Sequence, residues 1–331
     1  MKLLTLSLLL FGCFSLQAKE DSTKKINQFL EKNENVLVHV HADWCPSCKT
    51  QKKIISGLDK KNFKLLEVDF DSDKEFLKKN KVFQQSMLIA FRGGKEKARV
   101  FGITKKDKIM NFTETNFDYS LQAEIDKKRS GSKIPQDARM TMEQATEELR
   151  NSGIIDKAKK KGDKFIDFTL PNIKGEKVTL SEKLKDGPII LTFYRGGWCP
   201  YCNMQLKAYQ DHLGQFRAAG GQLIAVSPES AESGNSTVDK NDIEFEILSD
   251  NLNKEARKYG LVFKLNEKLK NVYLKFGLDL EKNQGNDSWE LPVPATYVID
   301  KEGNIVYSFL NVDYVQRAEP KDIIDALEAL K

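Results

Sequence analysis

The sequence predicts an α/β protein built from two similar units in tandem. Three observations carry that prediction. The chain has 331 residues, enough to bury two cores. Short apolar, β-rich runs alternate with helix-forming stretches in both halves. One local pattern occurs twice, as Trp44-Cys45-Pro46-Ser47-Cys48 and as Trp198-Cys199-Pro200-Tyr201-Cys202. Each copy follows a strand-like run and opens a helix-like stretch.

In the first half, residues 22–115, a leading helix precedes the order βαβαββα. Val36 to Ala42 is a short apolar strand that runs into the first cysteine pair. Lys49 to Leu58 continues as a helix, with Gly57 near its end. Phe63 to Phe70 is a second strand, closed by the turn-prone Asp71-Ser72-Asp73. Glu75 to Asn80 is helical in character. Met87 to Arg92 and Ala98 to Phe101 flank Gly93-Gly94, a hairpin signal.

Residues 116–139 read as a charged, strand-poor connector, with a break at Ser130-Gly131-Ser132 and Pro135. A helix is expected from Thr141, where Thr141 and Gln144 match a capping box, towards a stop at Asn151-Ser152-Gly153. From residue 140 to 331 the first scheme repeats with additions. Phe165 to Leu170 and Lys177 to Leu180 frame an extra hairpin. Ile189 to Tyr194 is the strand that enters the second cysteine pair. Met204 to Ala219 is helical and ends at Gly220-Gly221. Leu223 to Ser227 and Glu244 to Leu248 are strands, and Glu255 to Tyr259 is a helix. Residues 263–290 read as an insertion. Thr296 to Asp300 and Ile305 to Leu310 bracket a hairpin turn, and Pro320 opens the terminal helix.

Composition narrows the function. The 53 Lys and Arg against 48 Asp and Glu leave a net charge of only +5, which argues against a nucleic-acid partner. The basic run Lys157 and Lys159 to Lys161 reads as a solvated face. Lys2 and the apolar run Leu3 to Phe11 read as an export signal, too short to span a bilayer. Two processing routes are open. Leu10-Phe11-Gly12-Cys13 resembles a bacterial lipobox, which would put a lipid on Cys13 and anchor the chain to a membrane. Cleavage after Ala18 would instead remove residues 1–18 as a signal peptide and release a soluble protein. Both routes place the chain in the periplasm or cell envelope.

Four of the five cysteines lie in the two Cys-x-x-Cys copies, and none is spare for a structural disulfide. A thiol at a helix N-terminus meets unpaired backbone N–H groups and the positive end of the helix dipole, so its thiolate is stabilised. The second cysteine lies one turn on and can close a small disulfide. A four-cysteine zinc site wants its pairs about 15–20 residues apart, far closer than these two lie. The chemistry therefore rests on sulfur, with no metal and no cofactor.

Residues 22–115 resemble thioredoxin, through Ala42-Asp43-Trp44-Cys45-Pro46-Ser47-Cys48-Lys49 and Leu88-Ile89-Ala90-Phe91-Arg92-Gly93-Gly94. Residues 140–331 resemble the alkyl hydroperoxide reductase/thiol-specific antioxidant family. That likeness runs through Gly162-Asp163-Lys164, Asp167-Phe168-Thr169-Leu170-Pro171, the block from Phe193 to Cys202, and Leu291-Pro292-Val293-Pro294-Ala295-Thr296-Tyr297. The resemblance implies a thioredoxin-type fold in each half, with a mixed central sheet flanked by helices.

The departures from both families matter. Thioredoxins place a cis-proline opposite the disulfide, where this chain has Ser86; in the second half Pro294 holds that substrate-facing place. Thioredoxins bury a carboxylate six residues before the first cysteine, as a proton relay. His39 stands there, either as a proton acceptor near neutral pH or as a packed strand histidine. Counted from Phe193-Tyr194, Cys199 takes the threonine place of ordinary peroxiredoxins and Cys202 the peroxidatic place. Their arginine near the strand at Thr296 falls on Pro294. Arg195 is then the candidate cation that lowers a thiolate pKa and orients a peroxide oxygen; the alternative is a surface residue at a strand end. Trp44, Trp198 and Tyr201 read as packing beside the sulfurs, and Lys49 as a solvated helix residue.

The resemblance implies a thiol-dependent peroxidase that reduces hydrogen peroxide or organic hydroperoxides. A thiolate of the Cys199/Cys202 pair would become a sulfenic acid, the other cysteine would condense with it, and the Cys45/Cys48 dithiol would reduce the disulfide formed. An external dithiol would resupply electrons. The alternative is an exported thiol–disulfide oxidoreductase acting on protein disulfides.

Overall fold

The computed structural model describes residues 22–32, 34–117 and 119–331. The segment expected to be an export signal, Cys13 and the cleavage point expected after Ala18 lie outside the described residues. Among the described residues no helix is long and apolar enough to cross a membrane.

The first unit runs α1 (Ser22–Glu31), β1 (Val36–His41), α2 (Pro46–Ser56), β2 (Lys64–Asp69), α3 (Lys74–Lys79), β3 (Met87–Arg92), β4 (Lys95–Phe101), α4 (Lys106–Phe117). Its sheet has the order β2-β1-β3-β4. β1 is parallel to β2 and antiparallel to β3. Successive side chains of β1 face opposite sides. Val36, Val38 and Val40 therefore meet Ile26 and Phe76, while Leu37 meets Ile55 and Ile109. Both faces are covered, which is why the strand reads as an almost unbroken apolar run. Gly93 and Gly94 take φ of 58° and 70°, the left-handed geometry that a two-residue hairpin turn demands.

The expected connector is strand-free and helical. It holds α5 (Leu121–Ser130) and leads to α6 (Gln136–Asn151) and α7 (Ile154–Lys157). Leu121 and Ile125 are buried in the core of the second unit, where α5 lies along the helix that follows Cys199. The Leu121 and Gln122 amides both donate to the Glu319 carboxylate, at 2.8 and 2.9 Å. The sequence placed the start of the next helix at Thr141. It begins instead at Gln136, after Pro135, and the Thr141 hydroxyl donates to the Asp137 carbonyl inside the helix. Proline fixes an extended entry there, so no capping box at Thr141 is needed.

The second unit continues with β5 (Thr169–Pro171), β6 (Lys177–Thr179), α8 (Leu180–Asp186), β7 (Ile189–Phe193), α9 (Pro200–Asp211), α10 (Leu213–Ala218) and β8 (Gln222–Ser227). Then follow α11 (Ala231–Asn241), β9 (Glu246–Ser249), α12 (Lys254–Lys258), β10 (Val262–Lys264), α13 (Glu267–Lys275) and α14 (Leu280–Gln284). The chain closes with β11 (Glu290–Pro292), β12 (Ala295–Ile299), β13 (Ile305–Leu310) and α15 (Pro320–Glu328). The five-stranded sheet has the order β13-β12-β7-β8-β9, with β7, β8 and β9 parallel and β12 antiparallel to β7. The single helix expected over Met204 to Ala219 is broken at His212, whose φ and ψ of −108° and 5° separate α9 from α10. The expected insertion pairs β10 with β11 and buries its own small core of Leu265, Leu269, Tyr273, Trp289 and Leu291. The chain is thus two thioredoxin-type folds in tandem, each a mixed sheet flanked by helices.

The two units meet at the ends of their sheets that lie away from the cysteines. The β3–β4 turn of the first unit lies against the C-terminal end of α9. Asp211 is buried there between Lys97 at 3.0 Å, Arg92 at 3.8 Å and Lys207 at 3.8 Å. Lys95 pairs with Asp242, at the end of α11, at 2.8 Å. A Cβ on Gly93 would fall 2.7 Å from the Asp211 Cα, so only glycine fits.

Candidate active site

Each cysteine pair sits where a central strand hands over to a helix. In the first unit Cys45 is the N-cap of α2 and Pro46 its first residue, a position that suits proline because no N–H partner is required. Cys45 and Cys48 form a disulfide with Cα atoms 5.3 Å apart. Both are buried. Trp44 beside them is 60% exposed, and its indole N–H donates to Asp71 at 2.8 Å. Gln51, one turn along α2, donates to the carbonyls of Ser86 and Ile103 at 3.2 and 2.9 Å. That ties the Ser86 loop to the disulfide helix. Ser86 is buried with φ of 61°, a left-handed conformation unusual for a residue with a side chain. Among the described residues every peptide bond is trans. The bond before Pro294 is thus trans, and Ser86, a residue type that does not favour a cis bond, turns its chain through positive φ instead.

His39 is fully buried on β1. Burial, then the neighbouring His41, hold its pKa at about 4. Neither ring nitrogen has a hydrogen-bond partner, although Glu67 Oε1, 4.0 Å from Nδ1, and then Gln51 offset part of the fall. The ring is neutral at pH 7, and its pKa lies too low for a proton acceptor poised near neutrality.

In the second unit Cys199 is the N-cap of α9, Pro200 its first residue, and Cys202 lies in the first turn. Both are buried free thiols. They have opposite electrostatics. Burial pushes the Cys199 thiol up, but hydrogen bonding from Cys202, the Arg195 and Arg317 guanidiniums and the Cys202 amide together bring it down to about 5. Burial pushes Cys202 well up, and its hydrogen bond to Cys199 and the Cys199 charge push it further. The two thiols share one ionisation, and the guanidiniums favour the charge on Cys199 and the proton on Cys202.

Arg195 is buried rather than exposed at a strand end. Its guanidinium lies 4.9 Å from the Trp198 ring and 4.3 Å from the Tyr314 ring, and it donates to the Tyr273 hydroxyl. Arg317 is also buried and donates to the Cys202 sulfur at 3.5 Å. Among the described residues neither guanidinium has a carboxylate at ion-pair distance. Two buried cations without a carboxylate favour an anion between them, and the Cys199 thiolate supplies it.

Two further groups hold this loop. Glu229 is buried; it accepts from the Gly197 amide at 2.8 Å and from the Tyr194 hydroxyl at 3.1 Å. Burial raises its pKa, and those hydrogen bonds offset part of the rise. Below the pair, Gln205 donates to the hydroxyls of Thr192 and Tyr209 at 3.2 and 3.1 Å, fixing α9 to β7.

Arg195, Tyr273, Tyr314 and Met142 separate two adjoining cavities of about 560 and 410 Å³. Pro294 is buried and lines the larger, with Leu149, Val262 and Phe263. Cys199 lines the smaller, with Trp198, Tyr201 and Phe276. Arg195 thus stands between the cavity that Cys199 lines and the one that Pro294 lines.

The structure brings together Cys199, Cys202, Arg195 and Pro294, all named from the sequence. It sets Cys45, Cys48 and His39 in the other unit. Sequence reasoning missed Arg317, Glu229, Tyr273 and Tyr314. Each stands at least 27 residues from the motif it serves, and none lies in a local pattern that would mark it. Among the described residues no group of His, Cys, Asp and Glu is arranged to hold a metal ion.

A reducible cysteine pair at a helix N-terminus, twice on one chain of two thioredoxin-type folds, defines a thiol oxidoreductase. Comparisons with known proteins narrow the class. The AhpC/TSA family pattern matches residues 161–308 and the thioredoxin pattern residues 17–115. Chloroplastic peroxiredoxin Q of Sedum lineare is 30% identical over 183 residues, 55% of this chain and 85% of that protein. Its Triticum aestivum counterpart is 30% identical over 161 residues, 49% of this chain and 64% of that protein. Among solved structures, peroxidoxin BcpB of Mycobacterium tuberculosis is 20% identical, over 52% of this chain and 98% of that one, with a TM-score of 0.42. The chain belongs to the AhpC/TSA family, through its second half, with a thioredoxin domain ahead of it. Its class is that of a peroxiredoxin-like, thiol-dependent peroxidase.

Proposed function

We propose that Cys199 is the peroxidatic residue of a peroxidase that takes hydrogen peroxide or organic hydroperoxides. The observation that carries this is the buried Cys199/Cys202 pair beside the Arg195 and Arg317 guanidiniums, whose charges lower the Cys199 pKa while burial keeps the proton on Cys202. The thiolate attacks one peroxide oxygen, the O–O bond breaks, and the other oxygen leaves as alkoxide or hydroxide and takes a proton. Cys199 becomes a sulfenic acid. Cys202 then attacks the oxidised sulfur, forms the disulfide and releases water. Arg195 Nε and Trp198 Nε1 are buried donors without an acceptor, and a peroxide oxygen beside Cys199 would supply one. The apolar walls of the adjoining cavities suit the alkyl part of an organic hydroperoxide.

The Cys45/Cys48 dithiol is the electron source for that disulfide, and an external dithiol reduces it in turn. Protein-disulfide exchange is favoured as a second reading for the first unit alone, by its flat, exposed Trp44 beside the disulfide. Export rests on Lys2 and the Leu3 to Phe11 run, with either a lipid on Cys13 or cleavage after Ala18.

Rapid mixing of reduced protein with hydrogen peroxide and with cumene hydroperoxide, against insulin reduction by the same protein, tests the assignment. Peroxide-driven loss of the Cys199 and Cys202 thiols, faster than insulin reduction at equal protein, supports it. Thiols that survive peroxide while insulin is reduced reject it.

A further inference from the structure

We infer that the two dithiols of one chain do not serve each other, and that the Cys45–Cys48 face of the first unit reduces the Cys199–Cys202 disulfide of a second copy of this chain. The inference rests on the relay proposed above and adds the identity of its partner.

The argument starts from where the two units touch. Asn35, at the N-terminal end of β1, and Asn62 and Phe63, just before β2, line a cleft of about 820 Å³. Its other wall is Gln215 and Ala218 of α10 and Glu328 of α15. The β3–β4 turn closes the contact through Asp211. All these first-unit groups sit at one end of its sheet. The register pairs Val36 with Phe91 there, and Val40 with Met87 at the other end, which leads to Cys45. β1 has six residues, so the disulfide lies about 20 Å from the contact.

The second unit is arranged in the same way. Cys199 caps one end of α9 and Asp211 ends it, twelve residues later, about 18 Å away. α11 runs likewise, from Ser230 beside Glu229 down to Asp242 at the contact. Each sulfur pair therefore stands at the end of its own unit that lies away from the Asp211 contact, so the two are at most roughly 40 Å apart and face away from that contact. Closing that distance within one chain would break the Asp211 cluster, expose its carboxylate and pull Arg92 off the Tyr119 ring, 4.4 Å away.

The poles, in contrast, complement each other between copies. Around Cys45 the surface offers apolar Trp44 and Phe101, 60% and 53% exposed, with acidic Asp43 and Asp71. Phe101 pairs with Met87, which places it at this end. Around Cys199 the mouth offers Lys128 beside Tyr201 and the half-exposed Phe276, with a mixed rim beyond them in which Arg129 pairs with Asp313 at 3.6 Å and Arg139 lies with Glu143 and Glu147. Exposed aromatics on one pole meet exposed aromatics on the other, with Asp43 and Asp71 available to Lys128.

The transfer balances on sulfur. The Cys45 thiolate of one copy attacks Cys199 Sγ of the other, the Cys199–Cys202 bond breaks, and Cys202 leaves as a thiolate that takes a proton. Cys48 then attacks Cys45 Sγ and releases the Cys199 thiolate, a good leaving group because its pKa is low. Two electrons pass, one disulfide is lost and one is made.

Two full-length variants test the inference. Cys199→Ser/Cys202→Ser chain is reduced and freed of reductant. Cys45→Ser/Cys48→Ser chain is oxidised with peroxide, or with diamide if peroxide leaves its thiols free. Failure with peroxide alone counts against the peroxidase reading, not against this one. The chains are then mixed and the Cys199 and Cys202 thiols counted by maleimide mass shift. Recovery of both thiols, faster at higher concentration, is expected. Wild-type turnover with an external dithiol should also fall in specific activity by about tenfold on tenfold dilution, as a bimolecular step requires. No thiol recovery on mixing, or a specific activity unchanged across that dilution, overturns the inference.

Discussion

Arg317 donates to the Cys202 sulfur at 3.5 Å across 115 residues of sequence. This contact ties the segment before the terminal helix to the first turn of α9, and it brings a second cation to a site whose local motif supplies only Arg195. With Arg195 it makes a pocket whose two positive charges are offset in part when one sulfur is ionised.

Removing either cation should therefore raise the Cys199 pKa. Arg195 acts more strongly than Arg317 on that thiol. Because that pKa starts at about 5, a rise of one unit leaves the thiolate dominant at pH 7; Arg195→Met should instead slow peroxide reduction at pH 5, by about fivefold for such a rise, and Arg317→Met by less. The check is the pH profile of Cys199 alkylation in each variant, whose midpoint should move up in that order.

The wild-type profile follows from the same shift. An acid whose folded pKa is depressed keeps its charged form down to that lower pKa. Cys199 should therefore react with peroxide at an undiminished rate well below pH 8, and lose reactivity only as pH falls through about 5. Stopped-flow rates from pH 4.5 to 9 decide this; a midpoint near 8 to 9 would mean that Cys199 titrates as an ordinary thiol.

His39 makes a different prediction. Its folded pKa of about 4 lies below the ordinary 6.5, so the unfolded chain binds its proton first. The neutral ring is tolerated fully above pH 6.5, and stability is lost as pH falls from there through 4. His39→Leu removes two unpartnered ring nitrogens and should stabilise the protein at pH 5, by about 1–3 kcal/mol in urea unfolding. A loss of Cys45–Cys48 exchange activity in this variant at pH 7 would restore the proton-acceptor role.

Glu229 should matter to both fold and chemistry. Glu229→Ala strips an acceptor from the Gly197 amide and the Tyr194 hydroxyl, at about 2–3 kcal/mol. The freed loop should also let the Cys199 pKa rise. Glu229→Gln keeps an acceptor oxygen and should recover most of the stability, as thermal melts will show.

Much of the fold was legible because local chemistry and tertiary packing agree. Gly93-Gly94 announces its hairpin, and the apolar runs of β1 and β7 announce strands covered on both faces. α11 was not legible: its sequence AESGNSTVDKN is rich in weak helix formers, and it stands on the Ser230 cap and on packing against α9 and β9. α5 looked like a charged linker because only Leu121 and Ile125, one turn apart, carry its burial. The cysteines, Arg195 and Pro294 were legible because they lie in short motifs. Counting from Phe193-Tyr194 put Cys202 in the peroxidatic place, yet the charges that choose between the sulfurs come from Arg317 as well as Arg195, and no local pattern marks Arg317.

The most direct test of the central claim is to trap the oxidised sulfur. Cys202→Ser protein, exposed to one equivalent of peroxide and a sulfenic-acid reagent, should carry the adduct on Cys199, located by mass spectrometry. An adduct on Cys202 in Cys199→Ser protein, with Cys199 unmodified in the Cys202→Ser protein, would contradict the account.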